Sequence, residues 1–232
     1  MSQEAQPAYE FVAGLPIEEM APGTTLFVSG DSMSQATEVG LSMTLTGSVR
    51  GEGSILISTN TPANRLIDDG RAVVPALDPS RVAVVDCTGQ GEKDTAPSDI
   101  HVETVSTPAD LTGIGIKFST MVERLRANDI DRVRMGLFNV STMLMYSDLR
   151  KVFTFLHTIS GRISATGGLG VFVIDPSSHD EESVSMLNQL CDGRIEVQET
   201  ETPDDDGEIR VRGIRQQPNA WTPFSLSGGE ER

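Results

Sequence analysis

Short β-branched runs alternate with helical patterns along most of this 232-residue chain, and this alternation constrains its fold more than any other feature. Such alternation favours a mostly parallel sheet with helices on both faces. Six strands are predicted, at Thr25–Ser29, Ser54–Ser58, Arg81–Asp86, His101–Val105, Arg132–Val140 and Gly170–Ile174. Helices are predicted near Thr37–Gly47, Pro62–Asp69, Gly113–Asn128 and Tyr146–Ala165, and a further helix begins near Ser178.

The C-terminal part departs from this alternation. Ser178 is predicted to cap the last helix, with Glu181 as its reciprocal partner. The stretch "GRIEVQETETPDDDGEIRVRGIR" then indicates two alternating strands joined by an acidic turn, a hairpin that closes the sheet. Since neither a repeat nor an interdomain linker is visible, we expect one domain over residues 1–232. Residues 1–10 and 226–232 are expected to be disordered tails.

The charge of the chain limits its partners. Acidic residues outnumber basic ones by 34 to 18, for a formal net charge of −16. Such a surface disfavours non-specific binding to nucleic acid or to an anionic membrane. The acidity is explained either by general solubility or by a halophile's cytoplasm with molar salt, where the Debye length is about 3 Å. Because it is spread along the whole chain, we favour the second explanation.

No stretch of the sequence has the properties of a membrane or export segment. No apolar run approaches the roughly 18 residues that span a bilayer. The N-terminus, "MSQEAQPAYE", lacks the basic start and apolar stretch of a signal peptide. We therefore expect a cytoplasmic protein without a membrane partner.

Cysteine and histidine spacing does not indicate a metal centre. Cys87 and Cys191 are far apart and follow apolar stretches, so both are predicted to be buried free thiols. The three histidines are scattered, and no metal site is expected. Three methionines, Met135, Met143 and Met145, are predicted to lie in the core. Trp221 is predicted to pack the C-terminal segment against the sheet.

Three stretches occur in this order along the chain: "AGLPIEEMAPGTTLFVSGD", "VRGEGSILISTNTPANRLIDD" and "CDGRIEVQE…GEIRVRGIRQQPNAWTPFSL". Together they resemble the KaiC-like branch of the RecA-superfamily ATPases. The resemblance covers nearly the whole chain, and it rests on the joint order of the stretches rather than on one motif. It implies a RecA-like fold, in which a mostly parallel twisted sheet is flanked by helices and ends in an antiparallel hairpin.

The resemblance locates a phosphate loop whose residues are altered. Matched to GxxxxGK[ST], the first glycine is Gly30 and the final hydroxyl is Thr37, but Gln35 and Ala36 replace the second glycine and the lysine. Ala36 cannot supply the positive charge that contacts the phosphates, and Asp31 adds a repelling carboxylate. The candidate nucleotide-binding residues of this degenerate loop are Gly30, Asp31, Ser32, Ser34, Gln35, Ala36 and Thr37.

The family's other catalytic positions are also altered. The glutamate pair that activates water is matched by Thr59 and Asn60, and the acidic residue of the Mg²⁺-organising strand by Asn139. An amide coordinates a hard cation more weakly than a carboxylate and is not a general base. The basic pair that reaches a neighbouring subunit is half retained. Its lysine position is Gly213 and its arginine position is Arg215, and the possible subunit contacts are Arg212 and Arg215.

Two acidic or glycine-rich stretches could be mistaken for a site. Asp175 ends a strand in "GVFVIDPSS", but its place in the chain order predicts a role in turning the chain and capping the next helix. The stretch "VVDCTGQGEK" (Val84–Lys93) contains a lone GxG, which is a weak indication of a nucleotide site, and a surface loop is predicted.

Phosphoryl transfer needs a lysine, Mg²⁺ and a group that orients water. The positions that the resemblance assigns to the lysine, to the Mg²⁺-organising residue and to the water-activating pair all carry other residue types here. We therefore expect an inactive pseudo-ATPase that binds no cofactor and regulates or assembles with itself or an active KaiC/RecA-like paralogue. The first alternative is an ATP-binding protein or slow ATPase that uses ATP and Mg²⁺. A DNA-recombination accessory protein is the second, although the sequence has no basic stripe with interleaved aromatics.

Overall fold

The computed structural model describes residues 6–12, 14–31, 33–89 and 99–226. Nine strands form one sheet: β1 Thr25–Ser29, β2 Gly53–Ser58, β3 Val82–Asp86, β4 His101–Thr104, β5 Val133–Phe138, β6 Leu169–Ile174, β7 Gly193–Gln198, β8 Gly207–Arg212 and β9 Thr222–Phe224. Six α-helices lie between them: α1 Ala36–Val49, α2 Ala63–Val73, α3 Leu111–Arg126, α4 Val140–Tyr146, α5 Leu149–Thr166 and α6 Glu181–Asn188. Residues 90–98, which include part of the predicted surface loop, and residues 227–232 of the predicted C-terminal tail lie outside the described residues.

The sheet is mostly parallel, as predicted. Its strand order is β4-β3-β2-β5-β6-β1-β7-β8-β9, and every pair from β4 to β7 is parallel. Strands β8 and β9 are antiparallel and extend the edge beyond β7, which confirms the closing hairpin. Because the strands from β1 to β7 run in one direction, the loops after their carboxyl ends meet at one edge of the sheet. We call this edge the carboxyl edge.

Helices cover both faces of the sheet, and β1 shows why. Successive side chains of a strand point to opposite faces. Leu26 and Val28 enter the core beneath α1 and α2, whereas Phe27 enters the core beneath α3, α4 and α5. Phe27 packs edge-on against Phe172 of β6, with ring centroids 5.7 Å apart. The continuous apolar runs of the central strands follow from this burial on both faces.

The first helix is buried around nearly its whole circumference. A Cβ added at Gly40 would lie 2.6 Å from Val173 Cγ2, so α1 approaches the sheet more closely than a larger residue would allow. Three buried hydroxyls of the helix, those of Thr44, Thr46 and Ser48, bond to its own backbone; Thr44 Oγ1, for example, donates to the Gly40 carbonyl at 2.8 Å. Close packing of α1 fixes the position of the loop that precedes it.

The chain leaves β5 earlier than the sequence indicated. The predicted strand Arg132–Val140 ends at Phe138, and α4 begins at Val140. Between them Asn139 adopts a left-handed conformation, with φ of 70°, and its side chain accepts a hydrogen bond from the Thr142 amide at 2.9 Å. An asparagine tolerates this conformation and caps a helix, so the chain turns directly from the strand into a helix that was not predicted.

The cap of the last helix was assigned to the wrong residue. Asp180, not Ser178, accepts the hydrogen bond from the Ser183 amide, at 2.8 Å, at the start of α6. Ser178 instead belongs to a 3-10 turn, Pro176–Ser178, that Asp175 caps through the Ser177 amide at 2.9 Å. The prediction that Asp175 turns the chain is confirmed, although it caps this turn and not the α-helix.

The N-terminal segment packs against the domain, where a tail was expected over residues 1–10. Within its described part, Tyr9 is fully buried and pairs with Met20. The guanidinium of Arg132 lies 4.2 Å from the centroid of the Tyr9 ring, and Arg134 donates to the Glu10 carbonyl at 2.8 Å. Residues more than 120 positions away in the chain therefore hold this segment in place.

A buried ion pair anchors the same region. Arg134 is fully buried, and its Nε lies 2.6 Å from Glu52 Oε2. Its other donors contact the carbonyls of Met43 and Glu10, at 2.9 and 2.8 Å. A buried charge is tolerated only when its donors are satisfied in this way. The pair lies at the edge of the sheet opposite the carboxyl edge, because Glu52 precedes β2 and Arg134 begins β5.

Other side-chain predictions had mixed outcomes. Met135 and Met143 are buried, but Met145 is 77% exposed at the end of α4, so its predicted place in the core was wrong. Cys87 is buried and free, and Cys191 is free but only partly buried. Trp221 packs beneath the Arg210 guanidinium of β8, 4.2 Å from the ring centroid, which confirms its predicted contact with the sheet. None of the helices in the described ranges has the length and apolar character needed to cross a bilayer.

Candidate functional site

The loop after β1 folds tightly back on itself at the carboxyl edge. A Cβ added at Gly30 would lie only 2.0 Å from Ser34 Oγ and 3.0 Å from the Val197 carbonyl oxygen, so glycine is required here. Ser34 Oγ donates to the Asp31 carbonyl at 2.8 Å and holds the turn closed. Ser32 lies outside the described residues.

The carboxylate of Asp31 occupies the amides of this loop. Its Oδ1 accepts hydrogen bonds from the backbone nitrogens of Met33, at 3.0 Å, and Ser34, at 2.9 Å. In a phosphate loop, backbone N–H groups of this kind point at phosphate oxygens. An anion from the protein itself therefore takes the place that a bound anion would need, at these two amides.

The last residues of the loop provide few groups that could bind a phosphate. Gln35 precedes α1 without a side-chain capping hydrogen bond, and Ala36, in the lysine position, is buried. Thr37 is exposed in the first turn of α1, and within the described part of the chain its hydroxyl has no hydrogen-bond partner. The helix N-terminus still carries its favourable dipole, but no cationic side chain of the loop adds to it.

A strongly acidic cavity adjoins Asp31. It has a volume of about 560 Å³ and lies between the loop and the turn that joins β7 to β8. Its described lining residues are Asp31, Gln198, Glu199, Thr200, Glu201, Thr202 and Glu208. This lining has four carboxylates and no lysine or arginine, so a polyphosphate entering beside the loop would meet like charge.

The positions matched to the catalytic glutamates have structural roles. Thr59 is buried, and its Oγ1 lies 2.9 Å from the Phe138 carbonyl and 2.7 Å from that of Asn139. It thereby ties the end of β2 to the end of β5. Asn60 is exposed, and its side-chain oxygen accepts a hydrogen bond from Thr61 at 3.3 Å. Neither side chain is a carboxylate that could activate a water molecule.

Asn139, the position matched to the Mg²⁺-organising residue, also has a structural role. The side-chain oxygen of Asn139 accepts the hydrogen bond from the Thr142 amide described above. Asp86, at the end of β3, is buried and accepts hydrogen bonds from the amides of Ala63 and Thr88, each at 2.9 Å. Among the described residues, no cluster of three or more His, Cys, Asp or Glu side chains is placed to hold a metal ion.

The hairpin arginines lie away from the loop of their own chain. Because β8 runs antiparallel to β7, its last residue, Arg212, is near the edge opposite the carboxyl edge. Arg212 Nε lies 3.3 Å from Glu196 Oε2, and Arg194 and Arg210 also pair with this glutamate. Their positive charge holds the pKa of Glu196 below its usual value, against the raising effect of burial, which is the largest single influence.

Arg215 follows β8 and lines a separate cavity of about 670 Å³ beside the N-terminal segment. Three carboxylates, those of Glu10, Glu18 and Glu19, line the same cavity. Arg212 and Arg215 are therefore at one end of the sheet and Gly30 at the other. Within one chain these arginines do not converge on the loop.

Two features of the site were missed from the sequence. Asp31 was expected only to repel phosphate, although an Asp with a Ser three residues later is also the pattern of a side chain that caps its own turn. The exposed apolar residues around the carboxyl edge were not anticipated either. Met33 is 72% exposed in the loop, and Tyr146 is 62% exposed at the end of α4.

The fold is shared with a KaiC-like protein. A crystal structure of a KaiC-like protein from the hyperthermophilic archaeon Pyrococcus horikoshii superimposes with a TM-score of 0.66 and 15% sequence identity, covering 96% of this chain and 98% of that chain. At this identity the likeness concerns the fold alone. No curated protein matches the chain.

A protein-family model supplies the closer relationship. Residues 23–197 match a family of unknown function, DUF7504. The match runs from just before β1 to the penultimate residue of β7, so it includes the loop after β1, Thr59, Asn60 and Asn139, and most of the sheet. The chain therefore belongs to the DUF7504 family and has a KaiC-like, RecA-type fold.

Proposed function

We propose that this chain is a catalytically inactive KaiC/RecA-like protein that acts through protein–protein contacts as a regulatory or assembly partner. The observation that carries the proposal is the hydrogen bonding of Asp31 to the amides of Met33 and Ser34. A nucleotide would have to displace this carboxylate to reach the amides. It would gain no lysine contact in return.

Electrostatics supports the same proposal. A charge-assisted hydrogen bond contributes about 1.5–3 kcal/mol, so the missing lysine at Ala36 alone weakens phosphate binding by roughly ten- to hundred-fold. The acidic cavity beside Asp31 adds repulsion at the position where a triphosphate would approach. The loss of affinity is therefore distributed over several residues, and one compensating side chain would not restore it.

Exposed apolar side chains near the carboxyl edge support a protein partner. Met33, Met145 and Tyr146 each expose more than 60% of their surface. Met33 is in the loop after β1, and the other two end the helix that starts at the carboxyl end of β5. Large apolar residues at the centre of an interface are typical of protein contacts. The proposed partner is a second copy of this chain or an active KaiC/RecA-like paralogue.

Light scattering after size-exclusion chromatography tests this proposal. The purified chain, alone and mixed with a KaiC/RecA-like ATPase from the same genome, is expected to form an assembly whose mass is unchanged by ATP and Mg²⁺. The substitution Met33→Asp should dissociate it, whereas Val49→Asp, at an exposed apolar residue at the end of α1, should not. A chain that stays monomeric and captures no paralogue would refute the proposal.

The second candidate is an ATP-binding protein or slow ATPase that uses ATP and Mg²⁺. The observation in its favour is Thr37, whose hydroxyl stands exposed at the start of α1 directly after the loop. In this alternative, arginines of a neighbouring subunit, such as Arg215, would replace the lysine. Titration with a fluorescent ATP analogue separates the two candidates, since binding that is lost in Thr37→Ala would favour this one.

We also propose that the protein works in a salt-rich cytoplasm. A net charge of −16 produces self-repulsion that molar salt screens. The midpoint of thermal unfolding should rise between 0.1 and 2 M KCl by about 4–8 °C, the shift that corresponds to about 2 kcal/mol in a chain of this size. A midpoint that falls over this range would contradict a saline setting.

A further inference from the structure

A groove runs between α3 and α5 on the outer side of the helical layer. Two adjoining cavities, of about 730 and 250 Å³, share Ser119 and Arg162 and together follow the seam between the helices. The floor is apolar, formed by Leu111, Ile116, Val122, Phe155 and Ile159. Ile116 is 60% exposed although it lies among these apolar neighbours. The groove therefore presents apolar surface that the chain itself leaves open.

The rim of this groove is cationic. Arg126, Arg150 and Arg162 line it, and within the described ranges none of them forms an ion pair. Among the described residues, the hydrogen bond of Arg162 goes to Ser119 Oγ. The fourth cation, Lys151, lies 3.2 Å from Asp148 on an exposed turn of α5. In a chain with 34 acidic and 18 basic residues, three unpaired arginines beside one groove are an unusual concentration of positive charge.

The acidic residues of the groove offset this charge only in part. Asp110 accepts the hydrogen bond of the Gly113 amide at 2.8 Å and is committed to capping α3. Glu123 lies at the other end of the seam. Four cations therefore face three carboxylates, those of Asp110, Glu123 and Asp148, and both Asp110 and Asp148 already have partners. A ligand that brings carboxylates to the rim would be favoured electrostatically.

The dimensions of the groove suit a helix. Helices α3 and α5 have 16 and 18 residues, which correspond to about 24 and 27 Å. An amphipathic helix lays residues i, i+3, i+4 and i+7 into an apolar groove of this kind. We propose that the α3–α5 groove binds an amphipathic helix of a partner protein, with glutamates or aspartates flanking its apolar stripe. The proposal rests on the proposed function only in that the chain acts through protein contacts.

Two glycines provide a matched pair of variants. Gly115 lies in the groove, where an added Cβ would meet only Phe155 Cε2, at 3.9 Å. Leucine at this position would fill the groove without disturbing the core. Gly161 lies on α5 outside the groove lining, and an added Cβ there would meet nothing within 4 Å. Both substitutions replace a helical glycine, so each is expected to preserve or raise stability by up to about 1 kcal/mol.

Two labelled peptides test the proposal by fluorescence anisotropy, at about 0.15 M NaCl where the Debye length is about 8 Å. Both have about 18 residues and the same leucine stripe, flanked by glutamate in one and by lysine in the other. The glutamate peptide should bind with micromolar affinity and the lysine peptide at least about ten-fold more weakly. Gly115→Leu and Arg150→Glu/Arg162→Glu should each weaken binding of the glutamate peptide about ten-fold. Gly161→Leu and Arg65→Glu, on the exposed side of α2, should bind as the unsubstituted chain does.

Several outcomes would overturn the proposal. Neither peptide binding, both binding equally, or equal weakening by Gly115→Leu and Gly161→Leu would each exclude an acidic helix in this groove. If the chain is a dimer that Gly115→Leu converts to a monomer, the groove is a self-association surface and the proposed partner is wrong. None of these results changes what is expected at the phosphate loop, so the two proposals fail separately.

Discussion

The carboxylate of Asp31 lies 2.9 Å from the backbone nitrogen of Ser34 and accepts its hydrogen bond. A phosphate loop that binds a nucleotide keeps such amides available for the ligand. Here a residue of the loop satisfies the amide, which both stabilises the turn and closes it to an anion. The same residue thus contributes to the fold and occupies amides that an anion would need.

Restoring the loop should restore binding without turnover. The triple variant Asp31→Ser/Gln35→Gly/Ala36→Lys frees the amides, removes a side chain and supplies the lysine. We expect it to gain affinity for a fluorescent ATP analogue, by about ten- to hundred-fold from the lysine alone. Phosphate release should stay at background, because Thr59, Asn60 and Asn139 are unchanged. The double variant Asp31→Ser/Gln35→Gly is the control, and equal binding by both would show that the lysine is not the missing element.

Thr59 should matter for stability rather than for catalysis. Thr59→Val removes the donor to the Asn139 carbonyl in a buried position. The free energy of unfolding in urea should fall by about 1–3 kcal/mol. Thr37→Val, at the exposed hydroxyl position of the loop, is the matched control and should change stability by no more than about 0.5 kcal/mol. The reverse order of the two effects would mean that the roles given to these threonines are wrong.

Removing the buried ion pair between Arg134 and Glu52 should destabilise the protein strongly. Arg134→Met removes the guanidinium that contacts Glu52, Met43 and Glu10. Breaking a buried pair by removing one partner costs about 3–5 kcal/mol, and the urea midpoint should fall accordingly. Arg65→Met, at an exposed arginine of α2, should leave the midpoint nearly unchanged. Similar midpoints for the two variants would show that the pair contributes little.

Cys87 should make the protein less stable in alkali. Burial, with smaller contributions from the negative charges of Asp86 and Asp110, raises the pKa of its thiol from 9.0 to about 12. Between these values the unfolded chain releases the proton and the folded chain keeps it, so stability decreases as pH rises. The slope attributable to one thiol is about 1.4 kcal/mol per pH unit.

Urea unfolding from pH 9 to 11 measures this contribution. Cys87→Ala should lose stability less steeply with pH than the unsubstituted chain, by about that slope. In the folded protein at pH 8, N-ethylmaleimide should leave Cys87 unmodified, because the thiol is buried and protonated. Parallel pH profiles for the two proteins would contradict the assignment.

Local sequence patterns predicted most of the fold. Particular residues show which elements these patterns could not predict. Strand β1 was predicted with its observed bounds because its apolar run is followed at once by Gly30. Helix α4 was missed because Asn139 turns the chain within one residue, which left no loop to mark the boundary. Tyr9 was placed in a tail because its partners, Arg132 and Arg134, are distant in sequence.

The sequence predicted where the loop after β1 lies but not how the loop closes. A family resemblance located this loop and the positions matched to catalytic residues, and the loss of phosphate affinity from Ala36 stays a prediction. The sequence did not show that Asp31 would bond to the loop amides, since that depends on the loop closing on Gly30. Nor did it show the acidic cavity, whose carboxylates come from the loop and from the distant turn between β7 and β8.

Isothermal titration of the unsubstituted protein with ATP and Mg²⁺, together with phosphate release on the same sample, tests the proposed loss of nucleotide binding most directly. We predict no binding tighter than millimolar and no phosphate release above background, in low salt and in molar KCl. Micromolar binding with steady turnover, both abolished by Thr37→Ala, would contradict it.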